Sequence, residues 1–122
     1  TDNPYAAGVT VYGSSGGTAA ALAASLGVVG LGTDTFGSLV QPASATGLVA
    51  IRPTQGLVSG AGVLPLMSLQ DTPGPMARNV ADAAALLAVI ADGAAGEAYT
   101  RALDPDGLVG LTIGFDPLAF ML

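Results

Sequence analysis

The sequence of 122 residues contains no cysteine, no histidine and no lysine. Without cysteine there is neither a disulfide framework nor a thiolate metal site, and without histidine the other common zinc ligand is missing as well. The absence of cysteine also fits a cytoplasmic protein. These gaps exclude the usual disulfide-rich and zinc-dependent classes, and we expect no metal site.

Positive charge is equally scarce. Three arginines are the only cationic side chains against nine acidic ones, which gives a net charge of -6. Proteins that bind nucleic acid or anionic membranes carry basic clusters, so we expect neither as a partner. The longest weakly polar stretch, residues 19–32, is too short to span a bilayer, and no signal peptide precedes it. The sequence therefore predicts a soluble protein.

Apolar residues, by contrast, make up 51% of the chain, and only 10% is charged. This balance and length suit one folded piece with a single core. The chain starts at Thr1 and stops at Leu122 within an apolar run. We therefore expect a single segment, residues 1–122, of a larger domain, with no internal boundary. Apolar surfaces left open in such a segment would favour self-association.

Local patterns predict alternating strands and helices. Asn79 is a suitable N-cap for a helix, and glycines follow two of the other predicted helices. Residues 54–69 have no clear periodicity and predict an irregular connection, and residues 91–106 predict a loop or a short helix. The alternation predicts an α/β fold with a mixed or mostly parallel sheet flanked by helices. The predicted helices cover residues 14–26, 43–46 and 80–91, and the predicted strands cover residues 28–31, 48–51 and 111–115.

Two adjacent serines in the stretch "GSSGG", residues 13–17, allow several interpretations. The stretch matches the G-x-S-x-G nucleophile elbow with Ser15 as the nucleophile, but that mechanism needs a histidine. A glycine-rich turn before a helix can also bind phosphate, yet the lysine of the P-loop is missing. Taken alone, Ser14 and Ser15 are most simply explained as helix caps.

Three longer stretches of the sequence allow a more specific interpretation. "YGSSGGTAAALAASLGVVGLGTDTFGSLVQPA", "AIRPTQGLVS" and "QDTPGPMARNVADAAALL" together resemble the amidase signature family, nearest its peptide-amidase-like branch. The resemblance covers most of residues 3–87 and implies the central part of the amidase signature fold, with a strand at the "GPMAR" segment. It also implies hydrolysis of linear carbon-nitrogen amide bonds, in a small-molecule or peptide amide substrate, without a metal or an organic cofactor.

The same resemblance assigns a Ser-Ser-Lys triad. Ser38 is the nucleophile that forms the acyl-enzyme, and Ser14 is the bridging serine, preceded by a cis peptide bond. Ser38 follows Ser14 by 24 residues, which equals the family spacing. A serine hydroxyl must lose its proton as it attacks, and a second hydroxyl can relay that proton because it both donates and accepts hydrogen bonds.

The resemblance also implies an oxyanion hole and its support. Its donors would be the N–H groups of four consecutive residues, and two further side chains would hold the turn in shape. The donors are Thr35, Phe36, Gly37 and Ser38, and the supporting residues are Asp34 and Ser15.

The sequence departs from the family pattern at three points. Phe36 replaces a common glycine and would narrow the acyl pocket unless its ring points away. Leu39 and Val40 replace a common Ile-Arg pair. The family's catalytic lysine lies upstream of the serines, and this chain contains none. We therefore expect the isolated chain to be inactive. The competing hypothesis is a non-catalytic α/β scaffold, or a degenerate homologue that keeps the motifs for structural reasons.

Overall fold

The computed structural model describes residues 1–93 and 96–116. The helices and strands within these residues alternate along much of the chain. In chain order they are β1 (Asp2–Asn3), β2 (Ala6–Thr10), α1 (Gly16–Ala23), β3 (Val29–Asp34), α2 (Val40–Ala45), β4 (Val49–Ala50), β5 (Thr72–Ala77), α3 (Val80–Ile90) and α4 (Gly96–Arg101).

Strands β3, β5 and β4 form a three-stranded sheet in that spatial order, and β1 pairs with β2 in a separate hairpin. Helices α1, α2 and α3 contact the three-stranded sheet, which confirms the predicted α/β class. The described pairings are all antiparallel, however, so the expected parallel neighbours are absent among them. Strands β3 and β4 do run in the same direction, linked by α2. Because the connection from β4 to β5 contains no helix, β5 returns between them in the opposite direction.

Strand β5 has the sequence TPGPMA, and all six of its residues are buried. Proline is unusual in a central strand because it cannot donate a backbone hydrogen bond. In an antiparallel strand, alternate residues point their N–H and C=O groups to opposite neighbours. Pro75 accepts from the Ile51 N–H at 3.1 Å, so Pro73 and Pro75 face the side of β4. The ladder to β3 is made by the other residues and needs no proline donor.

Two glycines of the sheet leave room for a leucine side chain from the segment that follows β3. Gly32 in β3 and Gly74 in β5 are directly paired. A Cβ atom at Gly32 would lie 2.7 Å from Leu39 Cδ1, and one at Gly74 would lie 2.7 Å from Leu39 Cδ2. Leu39 is 0% exposed and fills the space that these two residues leave free. It also belongs to the main hydrophobic core, whose buried members are Ala19, Leu22, Leu39, Ala43 and Met76.

The later part of the chain follows the sequence prediction only in part. Helix α3 is confirmed, and the Asn79 side chain accepts from the Asp82 N–H at its start. The segment at residues 91–106 contains the short helix α4. The strand predicted for residues 111–115 is wrong, because these residues belong to none of the described strands. Among the described residues, no helix is long and apolar enough to cross a membrane.

Candidate active site

The two serine-bearing segments meet at the end of β3. The Ser15 N–H donates to the Ser38 carbonyl oxygen at 3.1 Å, which joins the glycine-rich turn to the turn that follows β3. The peptide bond between Gly13 and Ser14 is cis, the form that the resemblance implies. Ser14 is exposed and Ser38 is half-buried. The residue directly after Ser14 is therefore hydrogen-bonded to Ser38, although the two lie 23 positions apart in the sequence.

The side chain of Ser15 completes the free edge of β3. Its Oγ accepts from the Thr33 N–H and donates to the Thr33 carbonyl oxygen, both at 3.1 Å. One helical turn later, Thr18 Oγ1 donates to the Leu31 carbonyl oxygen at 3.0 Å. These are the backbone groups that point away from β5, so the side chains take the place of a neighbouring strand. Ser15 thereby fixes the start of α1 to the strand that leads to Ser38.

Asp34 organises the turn from within. Its carboxylate accepts from the N–H groups of Gly37 at 2.7 Å, Leu39 at 3.0 Å and Val40 at 3.4 Å. The side chain is 1% exposed, and Arg52 Nε lies 3.3 Å from Oδ1. Burial raises the pKa of the Asp34 carboxyl, but the three hydrogen bonds and the Arg52 charge outweigh burial and hold the pKa below its ordinary value. Asp34 is therefore an ionised structural anchor.

One of the four predicted oxyanion-hole donors makes a hydrogen bond within the turn. The Gly37 N–H donates to Asp34 and so helps to shape the turn. In the described part of the chain, no hydrogen bond uses the N–H groups of Thr35, Phe36 or Ser38. Gly37 itself has a φ of 104°, a conformation that favours glycine. Phe36 is 67% exposed.

Two residues that the sequence prediction left without a role contact the same turn. Arg52 pairs with Asp34, and Asp71 accepts a short hydrogen bond from the Thr35 hydroxyl. That hydrogen bond is the main reason why the pKa of Asp71 lies below its ordinary value. Burial raises this pKa, and the Met67 and Leu66 N–H groups lower it further. Both contacts join residues far apart in sequence, so no local pattern could indicate them.

An open cleft of about 290 Å³ lies beside Ser14, lined also by residues of α1 and β3. Its lining residues are Ser14, Ser15, Thr18, Leu31, Gly32, Thr33, Val63 and Pro73. Across residues 1–93 and 96–116, no group of three acidic, imidazole or thiol side chains is placed to hold a metal ion. The polar groups of the residues that line the cleft are hydroxyls and backbone amides and carbonyls.

Comparison with known proteins agrees with this arrangement. The family model described as Amidase matches residues 1–106. The chain is 49% identical over 123 residues to a subunit of the glutamyl-tRNA(Gln) amidotransferase of Trichlorobacter lovleyi, an alignment that covers 93% of this chain and 25% of that protein. It also resembles the crystal structure of the native peptide amidase from Stenotrophomonas maltophilia. That match has a TM-score of 0.73 and 46% identity, and covers 86% of this chain and 22% of the other.

A third match is the crystal structure of the corresponding glutamyl-tRNA(Gln) amidotransferase subunit from Thermotoga maritima. Its TM-score is 0.72 at 42% identity, over 82% of this chain and 22% of that one. The chain therefore belongs to the amidase family, and its amidase signature fold is confirmed. It spans about a quarter of the length of the first curated relative, 25%.

Proposed function

We propose that this chain carries the nucleophile and the proton relay of an amide hydrolase. The observation that carries the proposal is the 3.1 Å hydrogen bond from the Ser15 N–H to the Ser38 carbonyl. It holds the peptide unit after Ser14 against Ser38, at the end of a strand where α/β proteins commonly place reactive groups.

The reaction would proceed through an acyl-enzyme. Ser38 Oγ attacks the amide carbonyl carbon while its proton passes to Ser14 Oγ, and the proton of Ser14 passes to a neutral lysine. The carbon-nitrogen bond then breaks, and the amine leaves with a proton returned along the relay. Water attacks the ester by the same route in reverse and frees Ser38. Because this chain has no lysine, the base must come from another part of the polypeptide.

The oxyanion that forms during attack needs N–H donors. We assign this task to the amides of Thr35, Phe36 and Ser38, because the Gly37 amide is bonded to Asp34. A donor of this kind is worth about 3 to 4 kcal/mol in other acyl-transfer enzymes. The ionised Asp34 stabilises the turn and accepts no hydrogen bond from these three N–H groups.

Several finer expectations belong to the same proposal. Residues 1–122 form one segment of a larger amidase domain that acts on a small-molecule or peptide amide in the cytoplasm. The isolated segment is inactive because it lacks the base. The net charge of -6 disfavours direct contact between this segment and nucleic acid.

A second candidate function is that of an amidotransferase component. The similarity to two glutamyl-tRNA(Gln) amidotransferase subunits, at 49% and 42% identity, favours it. The chemistry at Ser38 would be the same up to release of the amide nitrogen, which would then be transferred to a second acceptor. A partner protein that co-purifies with this one and is required for transfer distinguishes this candidate from a self-sufficient hydrolase.

The proposal is tested by treating the polypeptide expressed from the full open reading frame with a serine-directed fluorophosphonate and mapping the adduct by mass spectrometry. We expect one adduct on Ser38, much slower labelling in Ser14→Ala, and unchanged labelling in Ser59→Ala. Ser59 is the matched control because it is exposed and, among the described residues, its hydroxyl bonds only the nearby Ala61 N–H. A folded protein with no Ser38 adduct would support the degenerate-scaffold alternative.

A further inference from the structure

Arg52 contacts two segments. One is the nucleophile turn, residues 34–39, which contains Ser38, and the other is the loop at residues 66–71. Its Nε lies 3.3 Å from Asp34 Oδ1, and its Nη2 donates to the Gln70 carbonyl oxygen at 3.1 Å. One guanidinium group therefore contacts two segments at once. A planar guanidinium can do this because its N–H groups point in fixed, different directions.

Asp34 is the acceptor on which the turn depends. Its two oxygens take three backbone N–H groups that all belong to the residues around Ser38. A carboxylate that is 1% exposed is costly unless a positive charge accompanies it. Arg52 is the cation that faces Asp34, while the other acidic group near the turn, Asp71, faces Thr35. The charge of Arg52 thus adds to the three backbone hydrogen bonds that keep Asp34 ionised.

The loop is bound to the turn at a second point as well. Thr35 donates to Asp71, whose other oxygen accepts from the N–H groups of Leu66 at 2.7 Å and Met67 at 2.8 Å. The loop is therefore stabilised by its own hydrogen bonds to Asp71 as well as by its contact with the turn. Both contacts lie at the start of the segment that contains the oxyanion-hole donors, because Arg52 pairs with Asp34 and Asp71 bonds the next residue, Thr35.

We propose that Arg52 is a positioning residue for Ser38. It acts through Asp34 and clamps the nucleophile turn to the loop at residues 66–71. This inference rests on the proposed function, because it concerns the reactivity of the same serine. Arg52 does not contact Ser38 itself, and its removal should impair attack without altering the nucleophile.

The test compares the rate of fluorophosphonate inactivation in the full polypeptide and three variants. Arg52→Met keeps the long apolar stem and removes the charge, whereas Arg52→Lys keeps the charge and loses the fork. Arg78→Met is the matched control, since Arg78 likewise bonds two oxygen atoms, the carbonyl oxygens of Leu22 and Gly27, but at the far end of α1.

We expect Arg52→Met to lower the maximal inactivation rate at least about tenfold, because misplacing a reacting group by a fraction of an ångström has effects of this size. The half-saturating concentration of the probe should stay unchanged. Arg52→Lys should recover much of the rate, and Arg78→Met should react as the unchanged protein does. An Arg52→Met rate within about twofold of the unchanged protein would overturn the proposal, as would an equal loss in Arg78→Met.

Hydrogen exchange of the peptide that contains residues 37–40 separates this inference from the proposed function. Faster exchange in Arg52→Met but not in Arg78→Met supports the clamp, and unchanged exchange refutes it. If the unchanged protein gives no Ser38 adduct, the proposed function fails, and exchange alone then decides whether the clamp exists. Should Arg52→Met fail to fold, Arg52→Gln, which also removes the charge but keeps a polar side chain, is judged by the same two measurements.

Discussion

Replacing Gly32 with alanine should disturb both stability and the site, because the added methyl group has no room. Its Cβ would lie 2.6 Å from Ser15 Oγ, 2.8 Å from Ser15 Cβ and 2.7 Å from Leu39 Cδ1. Carbon atoms in folded proteins pack at about 3.5 to 4.0 Å, so at least two neighbours must move. One of them makes the hydrogen bonds to Thr33, and the other is the residue directly after Ser38.

The magnitude follows from these contacts. Overpacking a filled site costs about 1 to 3 kcal/mol. If Ser15 turns away, its two hydrogen bonds to Thr33 are lost as well, at about 0.5 to 1.5 kcal/mol each. With both losses, the free energy of unfolding should therefore fall by about 2 to 6 kcal/mol. Labelling of Ser38 should slow as well, because the clash involves Ser15, whose N–H bonds the Ser38 carbonyl oxygen, and Leu39, which directly follows Ser38.

Gly17→Ala is the matched control for this substitution. Gly17 lies in α1, and a Cβ there meets nothing within 4 Å. Alanine is favoured over glycine in a helix by about 0.5 to 1 kcal/mol, so this variant should be as stable as the unchanged protein or more stable. Both variants are compared by urea denaturation of the full polypeptide. A Gly32→Ala variant within about 0.5 kcal/mol of the control would show that the close packing at this glycine does not limit stability.

Three further predictions follow from other parts of the molecule. Asp34→Asn should lower stability by roughly 2 to 4 kcal/mol at pH 7, because it weakens a buried, charge-assisted anchor. Since the folded-state pKa of Asp34 is below its ordinary value of 3.8, this stabilisation is present above about pH 4 and disappears as the pH falls through the folded-state pKa; a deficit that does not shrink in acid denaturation curves would contradict the assignment. Asn79→Ala should cost about 1 kcal/mol through loss of the cap on α3, and calorimetry showing no loss would mean that the cap is redundant. The isolated 122-residue chain should hydrolyse no amide and should sediment as oligomers, because many large apolar side chains, including Leu26, Leu64 and Val89, are exposed; hydrolysis, or a stable monomer, would contradict these two expectations.

Local sequence signals predicted the elements whose causes are local. The Asn79 cap and the apolar spacing after it gave the correct start of α3 and nearly its end. Helix α1 was predicted for residues 14–26 and covers Gly16–Ala23, so its existence was predicted correctly but it is shorter at both ends. Helix α2 begins at Val40, three residues before the predicted start, since the Asp34 carboxylate already aligns the N–H groups there.

The features that the sequence could not reveal depend on contacts between distant residues. Strand β5 contains two prolines, which local propensity assigns to a loop, and only the resemblance indicated a strand. The pairing of Gly32 with Gly74, and the seating of Leu39 on both, requires three separated segments to meet. The Arg52 and Asp71 contacts are of the same kind. Glycine is abundant in this sequence and also occurs in turns, so a glycine alone does not indicate where another segment packs closely against the backbone.

The proposed chemistry depends above all on Ser38 forming the covalent intermediate. This can be measured by quenching the full polypeptide in acid while it turns over an amide from a panel of simple amides and amidated peptides, and mapping the acyl group by mass spectrometry. We expect an acyl ester on Ser38 in the unchanged protein, and neither turnover nor ester in Ser38→Ala. Turnover that persists in Ser38→Ala, or an ester on Ser14 or Ser15, would contradict the assignment of Ser38 as the nucleophile.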